Sequence, residues 1–115
     1  MKKDNTVYLR HIRDAIQRVE RHLAGVSWEQ FLRNELVQDA VVRQLEIIGE
    51  ATRNLSDDFR RGHPEVAWRQ IIGMRNRLIH AYFKVDLGIV WEITHVDLPL
   101  LKEQVERFLE EKATD

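Results

Sequence analysis

Apolar residues recur along this chain at three- and four-residue steps, and little interrupts them: 115 residues hold only five glycines and two prolines. A helix of 3.6 residues per turn gathers such positions onto one face, so the pattern confines the chain to amphipathic helices packed through short links. Val7, Ile12, Ala15, Ile16, Val19 and Leu23 predict a first helix from about Asn5 to Ala24, stopped by Gly25. Ser27 and Gln30 have the spacing of a capping box for a short helix burying Trp28, Phe31 and Leu32. Asn34 is placed to cap a second long helix to about Leu55, with Leu36, Val37, Ala40, Val41, Leu45, Ile48, Ala51 and Leu55 inward. Ser56 then opens a short turn whose first positions, Asp57 and Asp58, suit a helix dipole.

Pro64 fits the first position of a third main helix, with Val66, Trp68, Ile71, Ile72, Leu78 and Ile79 apolar along it. Asp86 caps a final helix to about Lys112 that carries Leu87, Val90, Trp91, Leu98, Leu101, Val105, Phe108 and Leu109. Pro99 lacks an N–H and crowds the preceding turn, so that helix should kink near it. The expected fold is all-α: an up-and-down four-helix-type bundle with one or two short extra helices, forming a single domain over residues 1–115.

The absence of cysteine excludes disulfides and thiolate metal sites and fits a reducing compartment. No apolar run approaches the roughly 20 residues of a membrane span. The start, Met1-Lys2-Lys3-Asp4-Asn5, leads into no hydrophobic block, so no signal peptide is expected and a cytoplasmic location is. The net charge of -1 is unpromising for a protein that handles nucleic acid. Its distribution is more informative. Residues 60 to 84 carry Arg60, Arg61, Arg69, Arg75, Arg77 and Lys84 against Glu65 alone, whereas residues 85 to 115 are strongly acidic. A local excess of cations suits contact with phosphate at one site, not a long track.

Within that basic segment lies Arg75-Asn76-Arg77-Leu78-Ile79-His80-Ala81-Tyr82. A guanidinium binds phosphate oxygens through two parallel hydrogen bonds, and histidine exchanges protons near neutrality. Together they suit phosphodiester cleavage without a metal. On a regular helix, at about 100° per residue, Arg75 and His80 point about 140° apart. Either the helix loosens before His80 or the site forms where two chains meet, and both conditions can hold. Metal-free cleavage of RNA needs one group to take the 2′-hydroxyl proton and another to protonate the leaving 5′-oxygen. A monomer offers one motif histidine; a twofold dimer offers two. Arg75 then stabilises the pentacovalent phosphate, and Asn76 and Arg77 support phosphate binding beside it.

The Arg-x4-His-x-Tyr spacing resembles the signature of the HepT-like toxins, small helical ribonucleases of the HEPN superfamily. Leu45-Glu46-Ile47-Ile48-Gly49-Glu50-Ala51, the run from Pro64 through Trp68 to Gly73, Ile89-Val90-Trp91 and Asp97-Leu98-Pro99 are similar to that family in the same order. The resemblance implies a HEPN-like bundle, a homodimer, and catalysis by Arg75 and His80 without metal or other cofactor. It implies the toxin of a type VII-like toxin–antitoxin pair. It also implies that Tyr82 receives AMP from a nucleotidyltransferase antitoxin. Anionic bulk two residues from His80 would block the cleft and repel RNA. From the residue alone, Tyr82 reads equally as a partly buried aromatic with a wet hydroxyl.

The remaining features read as structural. His11, His22, His63 and His95 have no paired metal-ligand spacing, and His63 before Pro64 suits a loop. Trp28, Trp68 and Trp91 fall on apolar stripes. Glu46 and Glu50, one turn apart, suit ion pairs with Arg43 or an arginine near the motif. Two alternatives to a ribonuclease stay open: a non-catalytic nucleotide-binding module or partner subunit of a nucleotidyltransferase, and a helical dimer acting only as an interaction protein.

Overall fold

The structure, a computed structural model, describes residues 4–80 and 84–113, with Ile79, His80 and Ala113 described in their backbone alone. Helix α1 spans Asn5–Leu23, where the Asp4 carboxylate accepts the Thr6 N–H at 3.0 Å. Its buried face is Leu9, Ile12, Ala15, Ile16 and Val19. Val7, expected inward, is 38% exposed. At about 100° per residue it stands about 140° from Ile12, so the three- and four-step count admitted a residue on the far side. Ala24 closes the helix and Gly25 turns the chain with φ +72°, a left-handed conformation that glycine adopts without Cβ strain.

Both halves of the capping box form at α2, Trp28–Arg33: the Ser27 hydroxyl accepts the Gln30 N–H at 3.1 Å, and the Gln30 side chain accepts the Ser27 N–H at 2.8 Å. Phe31 is fully buried, but Leu32 is 45% exposed and Trp28 half-buried. The three share one arc of about 100°, with Phe31 at one edge and Leu32 at the other, and the core covers the Phe31 edge. Asn34 ends α2 and caps α3, Glu35–Arg53, by accepting the Val37 N–H at 3.1 Å. Val41, Leu45, Ile48, Ala51 and Thr52 face the core, and the Thr52 hydroxyl donates to the Ile48 carbonyl at 2.7 Å. Leu36 is 84% exposed, contrary to the sequence expectation. Nine residues before Leu45, it lies half a turn away from it. Ser56 caps α4, Asp57–Gly62, and exchanges hydrogen bonds with Asn5, tying the start of α1 to this corner.

The expected third long helix is not continuous. Pro64 stands in the turn after α4, not at a helix start, and the helix is split into α5, Trp68–Ile72, and α6, Met74–Leu78. The turn is held by Trp68, whose indole N–H donates to the carbonyls of Arg60 and His63 at 3.1 and 2.9 Å. At Gly73 the backbone bonds switch: its N–H reaches the Arg69 carbonyl, while its own carbonyl accepts from Asn76 and Arg77 and starts the next piece. A tertiary contact lies beside the break. Gly49 of α3 comes so near that a Cβ on it would stand 3.2 Å from the Ile71 carbonyl oxygen.

Beyond Leu78 the chain leaves helical geometry. Ile79–His80 forms a short strand, β1, antiparallel to β2, Lys84–Val85, with Ile79 opposite Val85 and His80 opposite Lys84. The Asp86 N–H returns to the Leu78 carbonyl at 2.8 Å, and the Asp86 side chain accepts the Ile89 N–H to cap α7, Leu87–Glu92. A π-helical segment, Ile93–Asp97, leads into α8, Leu98–Ala113. The proline disturbance is real but is spread ahead of Pro99: the Leu98 N–H reaches back five residues to Ile93. That wider turn accommodates a ring that would otherwise crowd the carbonyl four residues before it.

α1 packs against both α3 and α8. At one end of the core Trp91 meets Phe31 and Trp28 with ring centroids 5.3 and 5.5 Å apart; at the other, Phe59 and Trp68 pack around Phe108. The architecture is an all-α bundle with a two-residue ladder inserted at the motif. Among the described residues, no helix is long and apolar enough to cross a membrane.

Candidate active site

Met74 and Leu78, one turn apart, are 2% and 1% exposed and fasten α6 into the core. A five-residue helix anchored on those positions turns Arg75 and Asn76 outward, and both are exposed. Arg77 is directed elsewhere: its guanidinium donates to Asp97 at 3.5 Å, linking α6 to the π segment in a groove apart from Arg75. His80 lies on β1, so its backbone is no longer bound by the helical angle that separates it from Arg75. Tyr82 lies outside the described residues, as does the side chain of His80.

Arg75 stands where two clefts meet. The first, about 790 Å3, is walled by Arg53 from α3, Asp57, Arg60 and Arg61 from α4, Trp68, Arg69 and Ile72 from α5, and Arg75 with Asn76. The second, about 370 Å3, is lined by Arg75 together with Tyr8 and His11 of α1 and Arg43, Glu46 and Glu50 of α3. The two differ in charge. The first is dominated by guanidinium groups; the second mixes acids, bases and a tyrosine.

Three of the first cleft's arginines have carboxylate partners. Arg60 meets Asp57 and Arg61 meets Asp58, each at 2.6 Å, and Arg53 meets Glu50 at 3.8 Å. Asp58 accepts a hydrogen bond from fully exposed Arg61 and raises its pKa above the usual value. Arg69 and Arg75 pair with no carboxylate among the described residues. An exposed guanidinium without an internal anion keeps its donors for an external one. Arg75 is thus suited to hold a phosphodiester. Among the described residues, no three histidine, aspartate or glutamate side chains gather into a set able to hold a metal ion.

Sequence reasoning placed Arg75 and Asn76 together but missed Arg53 and His11 as neighbours of the motif. Arg53 lies twenty-two positions upstream, and no local signal links the two. The link is tertiary, through the close approach of α3 to α5 at Gly49. Of Glu46 and Glu50, expected to pair with Arg43 or an arginine near the motif, Glu50 meets Arg53 of its own helix, and Glu46 has no ion pair among the described residues.

Comparison with known proteins adds a family to this geometry. The family model described as "Ribonuclease HepT-like" matches residues 12–108. A protein of Thermococcus cleftensis named "Probable ribonuclease HepT" is 44% identical over 107 residues, covering 93% of this chain and 97% of its own. A protein of Caldanaerobacter subterraneus, named as a candidate RNase, is 41% identical over 105 residues, or 91% of this chain and 94% of its own. One of Methanocaldococcus jannaschii, named as a gamma-glutamylcyclotransferase and candidate RNase, is 40% identical over 111 residues; this chain covers 50% of it. No solved structure matches. The match over most of the chain, with the motif carried on a helical bundle, shows that the chain belongs to the HepT-like ribonuclease family.

Proposed function

We propose that this protein is a metal-independent endoribonuclease, the toxin of a type VII-like toxin–antitoxin pair, acting as a homodimer. The observation that carries the reading is Arg75: exposed, unpaired with any carboxylate among the described residues, and set where two clefts meet, five residues from His80. The ribonuclease names of its relatives support it.

In the proposed reaction the 2′-oxygen of the RNA attacks the adjacent phosphorus, and the bond from phosphorus to the 5′-oxygen breaks. His80 takes the proton from the 2′-hydroxyl, and the partner subunit's His80 gives one to the departing 5′-oxygen. Arg75 holds the phosphate oxygens on which charge accumulates, with Asn76 beside it. The products are a 2′,3′-cyclic phosphate and a 5′-hydroxyl, and DNA, lacking the nucleophile, is not cut. A nucleotidyltransferase antitoxin neutralises the toxin by transferring AMP from ATP to the Tyr82 hydroxyl, with loss of its proton and release of pyrophosphate, which places an anion two residues from His80.

Purified protein with end-labelled RNA in excess chelator tests the reading. Cleavage that leaves cyclic phosphate ends and disappears in His80→Ala and Arg75→Ala is the expected result. Equal products from wild type and both variants would remove the catalytic assignment and leave a nucleotide-binding partner subunit in its place.

A further inference from the structure

The first cleft holds more cationic groups than one scissile phosphate can use. Arg53, Arg60, Arg61, Arg69 and Arg75 come from four different helices and face one space of about 790 Å3, with Asp57 the acidic group in its wall. Small-molecule sites of comparable size, roughly 300–1,000 Å3, are mostly apolar with a few polar groups. This wall differs in its charge: five guanidinium groups line it beside Trp68 and Ile72, its large apolar members. Its ligand is therefore a polyanion with charges spaced along it. The fork of a guanidinium matches phosphate oxygens in pairs.

We infer that this cleft is a backbone subsite for single-stranded nucleic acid, holding the phosphates that flank the scissile one on one side of Arg75. The inference rests on the ribonuclease reading for its direction, because Arg75 is at once a wall of the cleft and the motif arginine. Arg69 and Arg75 bind phosphate with no carboxylate partner among the described residues to displace. Arg61 exchanges Asp58 for phosphate at little cost, since a solvent-exposed ion pair contributes little to stability. Arg53, at 3.8 Å from Glu50, is held loosely as well. The subsite reads charge and spacing, not bases, so it binds DNA strands as it binds RNA. It makes longer strands better ligands than a single nucleotide.

Binding of fluorescent oligothymidylates of two to eight nucleotides by the whole protein tests this apart from catalysis, because DNA cannot be cleaved by the proposed reaction. Affinity is expected to rise with length and then level off. In single strands each phosphate neutralised contributes about 0.7 to the slope of log affinity against log salt. Arg69→Ala should lower that slope by about 0.7 and the double variant Arg53→Ala/Arg69→Ala by about 1.4, while Arg18→Ala on the exposed side of α1 leaves it unchanged. Arg69→Lys should keep the slope. Unfolding midpoints of the variants equal to wild type confirm that binding, not folding, is lost. An unchanged slope in the double variant would overturn the subsite. So would polyglutamate of matched charge competing as well as oligothymidylate, since the surface would then suit an acidic protein. Failure of RNA cleavage alongside intact, arginine-dependent DNA binding would remove the ribonuclease reading and leave the subsite standing.

Discussion

Arg75 illustrates how much a single side chain depends on what surrounds it. Its charge is common in this chain, which holds eighteen lysines and arginines, but its setting is not. Met74 and Leu78 fix α6, and no neighbouring acid among the described residues occupies its donors. If its role is to grip two phosphate oxygens at once, a lysine in its place keeps the charge and loses the fork. Arg75→Lys should therefore lower kcat for RNA cleavage by roughly 10²–10³, the cost of removing one well-aimed donor to a developing oxyanion. Single-turnover kinetics on a defined oligoribonucleotide measure it; near-wild-type kcat in the lysine variant would reduce Arg75 to a point charge. The residues legible in the sequence were those whose function is local. Ser27, Gln30, Asn34 and Asp86 cap helices as their spacing foretold, because each acts on an N–H three positions away. Arg77 is different. Next to Arg75 in sequence but one the same kind of residue, it meets Asp97, twenty positions on, which no local rule selects.

At the scale of elements, the long helices α1 and α3 were readable from periodicity and their bounds nearly so, since a nineteen-residue amphipathic pattern overwhelms local exceptions such as Val7 and Leu36. The third helix was not. Its apolar pattern runs on through residue 79, yet the chain breaks at Gly73, just past the point where α3 passes within a carbonyl's reach of α5. Gly49 is the residue that permits that passage. A methyl group there would meet the Ile71 oxygen at 3.2 Å and the Ile72 oxygen at 3.7 Å, both of them backbone atoms that cannot rotate away. Gly49→Ala gains helix propensity of about 1 kcal/mol but must push α3 and α5 apart, an overpacking cost of typically 1–3 kcal/mol. The net expectation is a loss of up to about 2 kcal/mol in urea unfolding. Because the same approach brings Arg53 toward Arg75, the variant should also weaken oligonucleotide binding. Stability equal to or above wild type would show that the contact has room to relax.

At the scale of the whole molecule, the bundle gives the motif a frame but supplies one motif histidine per chain. α1 packs against both α3 and α8. The short ladder at Ile79–His80 and the return of Asp86 to Leu78 carry the motif out of the helix at one end. Two proton transfers in the proposed reaction require two groups, and the proposed dimer supplies them by placing a second copy of the motif opposite the first. That arrangement has a consequence that independent sites lack. A hybrid dimer of one wild-type chain and one His80→Ala chain, isolated through different affinity tags, contains one intact motif. If each chain cleaved RNA alone, the hybrid would keep about half the wild-type rate. If both histidines serve one reacting phosphate, it loses either the base or the acid, each worth about 10²–10⁴ in rate, and should fall below about 1% of wild type. Light scattering on the same preparation fixes the number of chains per particle. A half-active hybrid would return both proton transfers to groups within a single chain, and His11, which lines the smaller cleft together with Arg75, would then be the side chain to replace next.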